Sequence, residues 1–123
     1  MTRVLLVDDD ADLLRSFARL LRSHDFEPVT ALGGQAGIEV IAEHGHGFDA
    51  ILSDVQMPES PGPYVYAIAV AAGLRHRMAF MSGAWSASAA FATELDRAGV
   101  PRLDKPVPTG VLTETLTRIA EGR

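Results

Sequence analysis

Short runs of consecutive apolar residues alternate along this chain with longer segments in which apolar residues recur every three or four positions. The first pattern is typical of strands buried on both faces, and the second is typical of amphipathic helices. Predicted strands lie at 4–7, 26–30, 49–53, 78–81 and 102–104. Predicted helices follow them, around 13–21, at 34–44, up to 72, at 85–98 and at 110–123. This alternation predicts a doubly wound α/β fold, a three-layer sandwich with a five-stranded parallel sheet and helices on both faces.

Polar residues follow four of the predicted strands directly. Ligands of such sheets bind outside the carboxyl ends of the strands, so these residues are candidates for a site. They are Asp8, Asp9 and Asp10 after the first strand, Asp54 after the third, Ser82 after the fourth and Lys105 after the fifth. A single aspartate at a strand end is more often a turn or capping residue. Asp10 is expected to cap the first helix or to face solvent rather than to bind a ligand.

The composition narrows the class of protein. The chain has 123 residues, which fits a single domain at 1–123. It carries 16 acidic and 11 basic residues with no basic cluster, which disfavours direct binding of nucleic acid. The absence of cysteine excludes a disulfide scaffold, thiol catalysis and cysteine-ligated zinc. No apolar run approaches the ~20 residues that span a bilayer, and the start is unlike a signal peptide, so we expect a cytoplasmic protein without membrane contact.

Lys105 is the only lysine in a chain that has ten arginines. A lysine ammonium is a compact point charge that suits a small anion. Carboxylates gathered at one sheet edge repel one another and need a counter-charge, and Mg²⁺ binds through carboxylates, carbonyls and retained waters. With the Ser82 hydroxyl nearby, such a site suits a phosphoryl group, and Asp54 can act as a carboxylate nucleophile that forms an acyl phosphate.

Four segments together resemble the receiver (CheY-like) domain of bacterial two-component response regulators over essentially the whole chain. They are residues 4–10 (VLLVDDD), 52–58 (LSDVQMP), 81–84 (MSGA) and 104–106 (DKP). Their order and spacing match the family. The resemblance implies a flavodoxin-like (βα)5 fold and a cis peptide bond between Lys105 and Pro106.

The resemblance also implies a role for each matching residue. Asp54 matches the phosphoacceptor, and Asp9 matches a direct Mg²⁺ ligand. Asp8 matches an acid that acts on the metal through water, and Gln56 matches the position whose backbone carbonyl helps to hold the metal. Two further positions match the ligands of the phosphoryl group, namely Ser82, which moves on activation, and Lys105.

The implied function is that of a phosphoacceptor switch in a two-component system or phosphorelay. The phosphoryl group would come from a sensor histidine kinase or a histidine phosphotransfer protein, and phosphorylation would change binding to a downstream protein or a fused output domain. The domain would catalyse its own phosphorylation and hydrolysis without being a turnover enzyme. The residues leave open whether the chain is a stand-alone regulator or was cut from a longer protein.

Two alternatives remain open on the sequence. A pseudo-receiver would bind partners without control by phosphorylation; the intact acidic and lysine set argues against it. A small phosphatase with an aspartate nucleophile normally needs a general acid two residues after the nucleophile, where this chain has Gln56, which cannot donate as an acid.

Arg102 departs from the family pattern, which usually has an aromatic residue three positions before the lysine. An aromatic rotamer switch therefore cannot work here in its usual form. We expect Arg102 to be solvent-exposed or to make a charge-based contact with a partner. Output contacts are expected on the fourth helix, fifth strand and fifth helix, with Phe91 and Leu95 as their apolar part.

Overall fold

The computed structural model describes residues 1–122, in which five parallel strands form one sheet of order β2-β1-β3-β4-β5. The strands are β1 (Thr2–Asp8), β2 (Phe26–Leu32), β3 (Ala50–Asp54), β4 (Met78–Ser82) and β5 (Arg102–Asp104). The helices are α1 (Ala11–Arg22), α2 (Gly34–His44), α3 (Gly62–Ala71), α4 (Ala89–Ala98) and α5 (Thr109–Gly122). Short 3-10 turns lie at Gly45–Gly47, Arg75–Arg77 and Trp85–Ser88. The predicted alternation and the flavodoxin-like CheY fold are confirmed.

The core consists of one apolar cluster on each face of the sheet, because successive side chains of a strand point to opposite faces. On β1, Leu5 and Val7 pack with residues of α2, α3 and α4. Val4 and Leu6 point the other way and pack with residues of α1 and α5. The sheet is thus covered on both sides. Its three central strands, β1, β3 and β4, are buried nearly throughout, whereas the edge strands β2 and β5 alternate between buried and exposed residues.

Local signals fix several helix ends. Asp10 caps α1, since its side chain accepts hydrogen bonds from the backbone N–H groups of Asp12 at 3.0 Å and Leu13 at 3.1 Å. Gly99 ends α4 in the left-handed conformation, with φ at 72°. The Asp10 cap was expected from the sequence and is confirmed.

The predicted helix 85–98 is wrong in its first third. Trp85–Ser88 forms a 3-10 turn, and α4 begins only at Ala89. The backbone bends at Ser88, whose side chain makes no capping bond to α4. Its hydroxyl accepts a hydrogen bond from the Gln56 side chain instead.

The expectation that Phe91 and Leu95 form an apolar contact surface is also wrong. Phe91 packs edge-on against Phe80 and Tyr66, and Leu95 is fully buried. Residues four apart lie on one helix face, and this face of α4 covers the sheet. The exposed side of α4 is therefore its polar side.

Gly34 lies where α2 meets the loop that follows β3, and a side chain cannot fit there. A Cβ atom built on Gly34 would lie 1.8 Å from the carbonyl oxygen of Ser60. We expect Gly34→Ala to lower the free energy of unfolding by about 1–3 kcal/mol, since the backbone must shift. Urea unfolding measures this change.

Gly110 offers a matched control for that substitution. It lies in α5, and no atom is within 4 Å of a Cβ built on it. Gly110→Ala is expected to stabilise the protein by a few tenths of a kcal/mol, because alanine favours the helix. Equal unfolding free energies for the two variants would contradict the steric account of Gly34.

Within residues 1–122, no helix has both the length and the apolar character that a membrane crossing requires.

Candidate functional site

Four strands bring the candidate residues to one edge of the sheet. Asp8, Asp54 and Ser82 are the last residues of β1, β3 and β4, and Lys105 directly follows β5. The strand register pairs Asp54 with Met81 and Ser82 with Asp104, so these ends are level. The backbone N–H of Lys105 donates to the Ser82 carbonyl at 2.9 Å, which extends this register past the strand.

Three carboxylates converge at this edge. Asp8, Asp9 and Asp54 each offer one oxygen, and these three oxygens lie within 4.8 Å of one another. Asp8 is fully buried, Asp54 is 3% exposed and Asp9 is exposed. Two carboxylates that are withdrawn from water therefore face a third that solvent can reach. Oxygen ligands of this kind and spacing suit a hard divalent cation such as Mg²⁺.

Lys105 lies between the two buried carboxylates. Its ammonium donates to Asp8 Oδ2 at 2.9 Å and lies 3.2 Å from Asp54 Oδ1. The peptide bond between Lys105 and Pro106 is cis, as the resemblance implied. The single lysine of the chain is thus the cation that the sequence predicted for this site.

Backbone donors hold the two buried carboxylates in place. Asp8 Oδ1 accepts from the N–H of Asp10 at 2.9 Å, and Asp54 Oδ1 accepts from the N–H of Val55 at 2.9 Å. A buried carboxylate is tolerated when it is hydrogen-bonded and paired. These contacts fix the orientation of both side chains before any ligand arrives.

One ammonium does not balance the negative charge of this cluster. Burial, followed by the charge of Asp8, raises the pKa of Asp54 above its ordinary value, although Lys105 acts to lower it. Burial and a hydrogen bond with Asp8 likewise raise the pKa of Asp9. Burial acts to lower the pKa of Lys105, but the hydrogen bond with Asp8 and the charges of Asp54 and Asp8 together raise it. The carboxylates are therefore short of positive charge, which a bound cation would supply.

The Ser82 hydroxyl does not contact the carboxylates. It donates to the side-chain oxygen of Gln56 at 2.6 Å and accepts from the backbone N–H of Ala84 at 2.9 Å. The side-chain nitrogen of Gln56 donates in turn to the Ser88 hydroxyl at 3.0 Å. The sequence pointed only to the backbone carbonyl of Gln56. These side-chain bonds join residues 26 and 32 positions apart, which no local pattern reveals.

Arg102 is solvent-exposed, as the sequence predicted, but its guanidinium is also held by contacts within the chain, which the sequence did not predict. Its guanidinium makes a two-pronged ion pair with Asp96 of α4, at 2.8 and 3.1 Å. It also stacks on the Trp85 ring, 4.8 Å from the centroid. The indole N–H of Trp85 donates to the carbonyl of Leu103 at 2.9 Å. The position that usually holds an aromatic residue therefore ties β5 to the segment before α4.

A groove of about 430 Å³ opens beside the acidic cluster. Asp9 lies at one side of it, and Gln56 and Ser88 line another side. The loop that leads into α3 contributes Pro61 and Pro63. A small ligand or a partner side chain can approach Asp9 by this route.

Comparison with known families gives one match that spans most of the chain. Residues 4–117 match the family model of the response regulator receiver domain.

Curated relatives share part of this region. The chain is 38% identical over 60 residues to the two-component response regulator ARR10 of Arabidopsis thaliana, and 43% identical over 60 residues to the transcriptional regulatory protein PrrA of Mycobacterium tuberculosis. Each alignment covers 49% of this chain, but only 11% of ARR10 and 25% of PrrA. The chain thus spans a minor part of the length of these relatives.

Solved structures share the fold over nearly the full length. A response regulator receiver domain protein from Clostridium thermocellum superposes with a TM-score of 0.86 at 21% identity, covering 99% of this chain and 96% of that one. The chemotaxis protein CheY4 of Vibrio cholerae gives a TM-score of 0.80 at 25% identity, covering 97% and 98%.

Proposed function

The chain belongs to the response regulator receiver domain family, and we propose that it is a phosphorylatable switch whose acceptor is Asp54. One observation carries this proposal. The Asp54 carboxylate is held by the N–H of Val55 and by Lys105, beside two further carboxylates, one of which, Asp9, lines a groove open to solvent. We also propose that residues 1–123 form one receiver domain.

The residues present fit a magnesium ion. Asp9 and Asp54 would supply carboxylate oxygens, the backbone carbonyl of Gln56 would supply a third protein ligand, and the buried Asp8 would act through a water molecule. When bound, Mg²⁺ neutralises the carboxylates and the charge on the transferring phosphoryl oxygens. The raised pKa values of Asp9 and Asp54 support this assignment, since burial and the neighbouring Asp8 disfavour the charged form of each carboxyl and a bound cation would favour it.

The proposed transfer is a substitution at phosphorus. An oxygen of the Asp54 carboxylate attacks the phosphorus of a phosphohistidine, a P–O bond forms and the P–N bond breaks. The imidazole leaves with the electron pair of the P–N bond, and the acceptor becomes an acyl phosphate. Lys105 is already within reach of Asp54 Oδ1, so its ammonium would bind a phosphoryl oxygen with little movement. The Ser82 hydroxyl would turn toward another phosphoryl oxygen.

The proposed phosphoryl donor is a sensor histidine kinase or a histidine phosphotransfer protein. Such a partner would dock on α1, where Leu14, Phe17 and Leu21 are buried and most of the exposed side chains are polar. Three exposed arginines of α1 line a groove beside β2, namely Arg15, Arg19 and Arg22. The downstream partner would be another protein or a fused output domain. The proposal implies a cytoplasmic location, where the ATP that charges histidine kinases is present.

The pseudo-receiver alternative makes a different prediction about the same site. A module without phosphoryl control does not need an Asp54 carboxylate that is fixed next to a half-buried lysine. The phosphatase alternative lacks its acid, because the Gln56 side chain is an amide bound to Ser82 and Ser88. The described contacts therefore favour the switch.

Phosphorylation by a small donor tests the proposal. Incubation with acetyl phosphate and Mg²⁺ is expected to add one phosphoryl group, measured as intact mass, because Asp54 is the only acceptor proposed. EDTA is expected to abolish the adduct, since the carboxylates then keep their repulsion. If acetyl phosphate gives no adduct and the phosphoryl mimic beryllofluoride does not bind in the presence of Mg²⁺, the proposal of a phosphorylatable switch is wrong and the pseudo-receiver interpretation takes its place.

A further inference from the structure

A chain of hydrogen bonds runs from the site to the segment before α4. The Ser82 hydroxyl donates to Gln56 Oε1 at 2.6 Å, and Gln56 Nε2 donates to the Ser88 hydroxyl at 3.0 Å. Ser82 is 1% exposed, whereas Ser88 lies in the 3-10 turn at the surface edge of α4. The Gln56 amide is thus the physical link between a buried hydroxyl and an outer element.

The hydrogen bonds from Ser82 to Ser88 depend on what the Ser82 hydroxyl contacts at the site. Serine carries a single O–H and can donate only one strong hydrogen bond at a time. In this structure Ser82 donates to Gln56 and its oxygen is occupied by the N–H of Ala84. If Ser82 donates to a phosphoryl oxygen on Asp54, Gln56 Oε1 loses its donor. The two arrangements exclude each other.

The 3-10 turn Trp85–Ser88 is held in place at its Trp85 end. The Trp85 indole donates to Leu103, and Arg102 stacks on the Trp85 ring while it pairs with Asp96. Ser88 is the point where the 3-10 turn meets α4, and Gln56 provides the contact that its side chain makes. A change in the Gln56 bond therefore acts on the junction rather than on the anchored end.

We propose that the Gln56 side chain is a latch that holds Ser82 and Ser88 in the phosphate-free arrangement and transmits phosphorylation to the start of α4. It does so in a chain where Arg102 cannot act as an aromatic rotamer switch. Gln56 is a positioning residue in this role, because it acts through Ser82. The inference rests on the proposed function, since it requires a phosphoryl group on Asp54.

Ser88→Ala tests the latch at the end remote from the acceptor. Loss of the Ser88 hydroxyl leaves Gln56 Nε2 with its longer hydrogen bond of 3.5 Å to the Ala84 carbonyl, so Gln56 and with it Ser82 are less firmly held, and Ser82 is more available to a phosphoryl oxygen. We expect beryllofluoride, in the presence of Mg²⁺, to bind Ser88→Ala about two- to tenfold more tightly than wild type, since a hydrogen bond shifts a two-state equilibrium by that order. Isothermal titration calorimetry measures the dissociation constant.

Three further variants separate the latch from a merely structural effect. Ser86→Ala removes a hydroxyl from the same turn, and the Ser86 side chain makes no hydrogen bond within the described residues, so it should bind beryllofluoride like wild type. Ser88→Thr keeps the hydroxyl and should restore wild-type affinity. Gln56→Met breaks the same chain from its other end and should also tighten binding, which keeps the test valid if Ser88→Ala folds poorly.

The outcomes distinguish this inference from the function on which it rests. If wild type binds beryllofluoride and Ser88→Ala binds it equally, the latch is refuted and the phosphoacceptor proposal stands. A drop in melting temperature without a change in affinity also refutes the latch, because it marks a structural role. If wild type fails to bind, the proposed function and the latch fall together.

Discussion

Replacing Asp54 by asparagine is expected to abolish phosphoryl incorporation while leaving the fold at least as stable as that of wild type. The amide cannot act as the carboxylate nucleophile, so the single adduct formed with acetyl phosphate and Mg²⁺ should fall to none. Intact mass spectrometry measures the adduct, and a thermal melt measures stability. The two readouts should move in opposite directions.

The stability half of this expectation follows from the raised pKa of Asp54. Burial and the Asp8 charge raise this pKa in the folded state, so the native protein holds its proton more firmly than the unfolded chain does. Stability then falls as the pH rises through the folded-state pKa, and the penalty is fully present above it. Asparagine removes this penalty, so the advantage of the variant should be larger at neutral pH than at acid pH. Lys105 keeps Asp8 as its partner.

Asp10→Asn is the matched control. Asp10 is the next acid beside the cluster, and its side chain caps α1, a role that asparagine fills equally well. The control removes one negative charge but should keep the adduct. An adduct of undiminished yield on Asp54→Asn would show that another residue accepts the phosphoryl group and would overturn the assignment.

The strand-end part of the site could be predicted because topology alone decides it. Asp8, Asp54 and Ser82 each end an apolar run, and parallel strands bring such ends to one edge. Lys105 could be found as the single lysine of an arginine-rich chain. These predictions need only the order of the strands and the identity of the next residue.

The contacts around α4 could not be predicted, because they depend on rotamers of residues that are distant in sequence. Gln56 meets Ser88 across 32 positions, and Arg102 meets Trp85 from a different element. The spacing of apolar residues places Phe91 and Leu95 on one helix face. The same spacing does not show that this face covers the sheet, since both a core face and a docking face are apolar.

The site and the stability of the fold make opposing demands. Three carboxylates at one edge favour a cation and a phosphoryl group, but they disfavour the folded state in the absence of both. Lys105 is the single side chain among the described residues that reduces this repulsion from within the cluster, through Asp8 and Asp54. Removing the Lys105 ammonium should therefore lower the stability of the fold.

Lys105→Ala is expected to destabilise the protein by about 2–4 kcal/mol at neutral pH, because it leaves the fully buried Asp8 and the nearly buried Asp54 without their cation. Urea unfolding with and without Mg²⁺ measures the effect. Mg²⁺ should recover part of the loss, since it supplies positive charge to the same carboxylates. Phosphorylation by acetyl phosphate should slow, because the ammonium no longer stabilises the transferring group.

The pH dependence of the stability of Lys105→Ala distinguishes an electrostatic role of Lys105 from a packing role. Lys105 acts to lower the pKa of Asp54, so without it that pKa rises further in the folded state and the native protein binds more protons than the unfolded chain over a wider range. The stability deficit should then be largest at neutral pH and should shrink as the pH falls and the Asp54 carboxylate becomes protonated. A deficit that is constant with pH and unaffected by Mg²⁺ would instead mean that Lys105 contributes through its aliphatic stem. Lys105→Arg keeps the positive charge and should recover most of the stability. It should not restore the phosphorylation rate, because a planar guanidinium cannot replace a compact ammonium between Asp8 and Asp54.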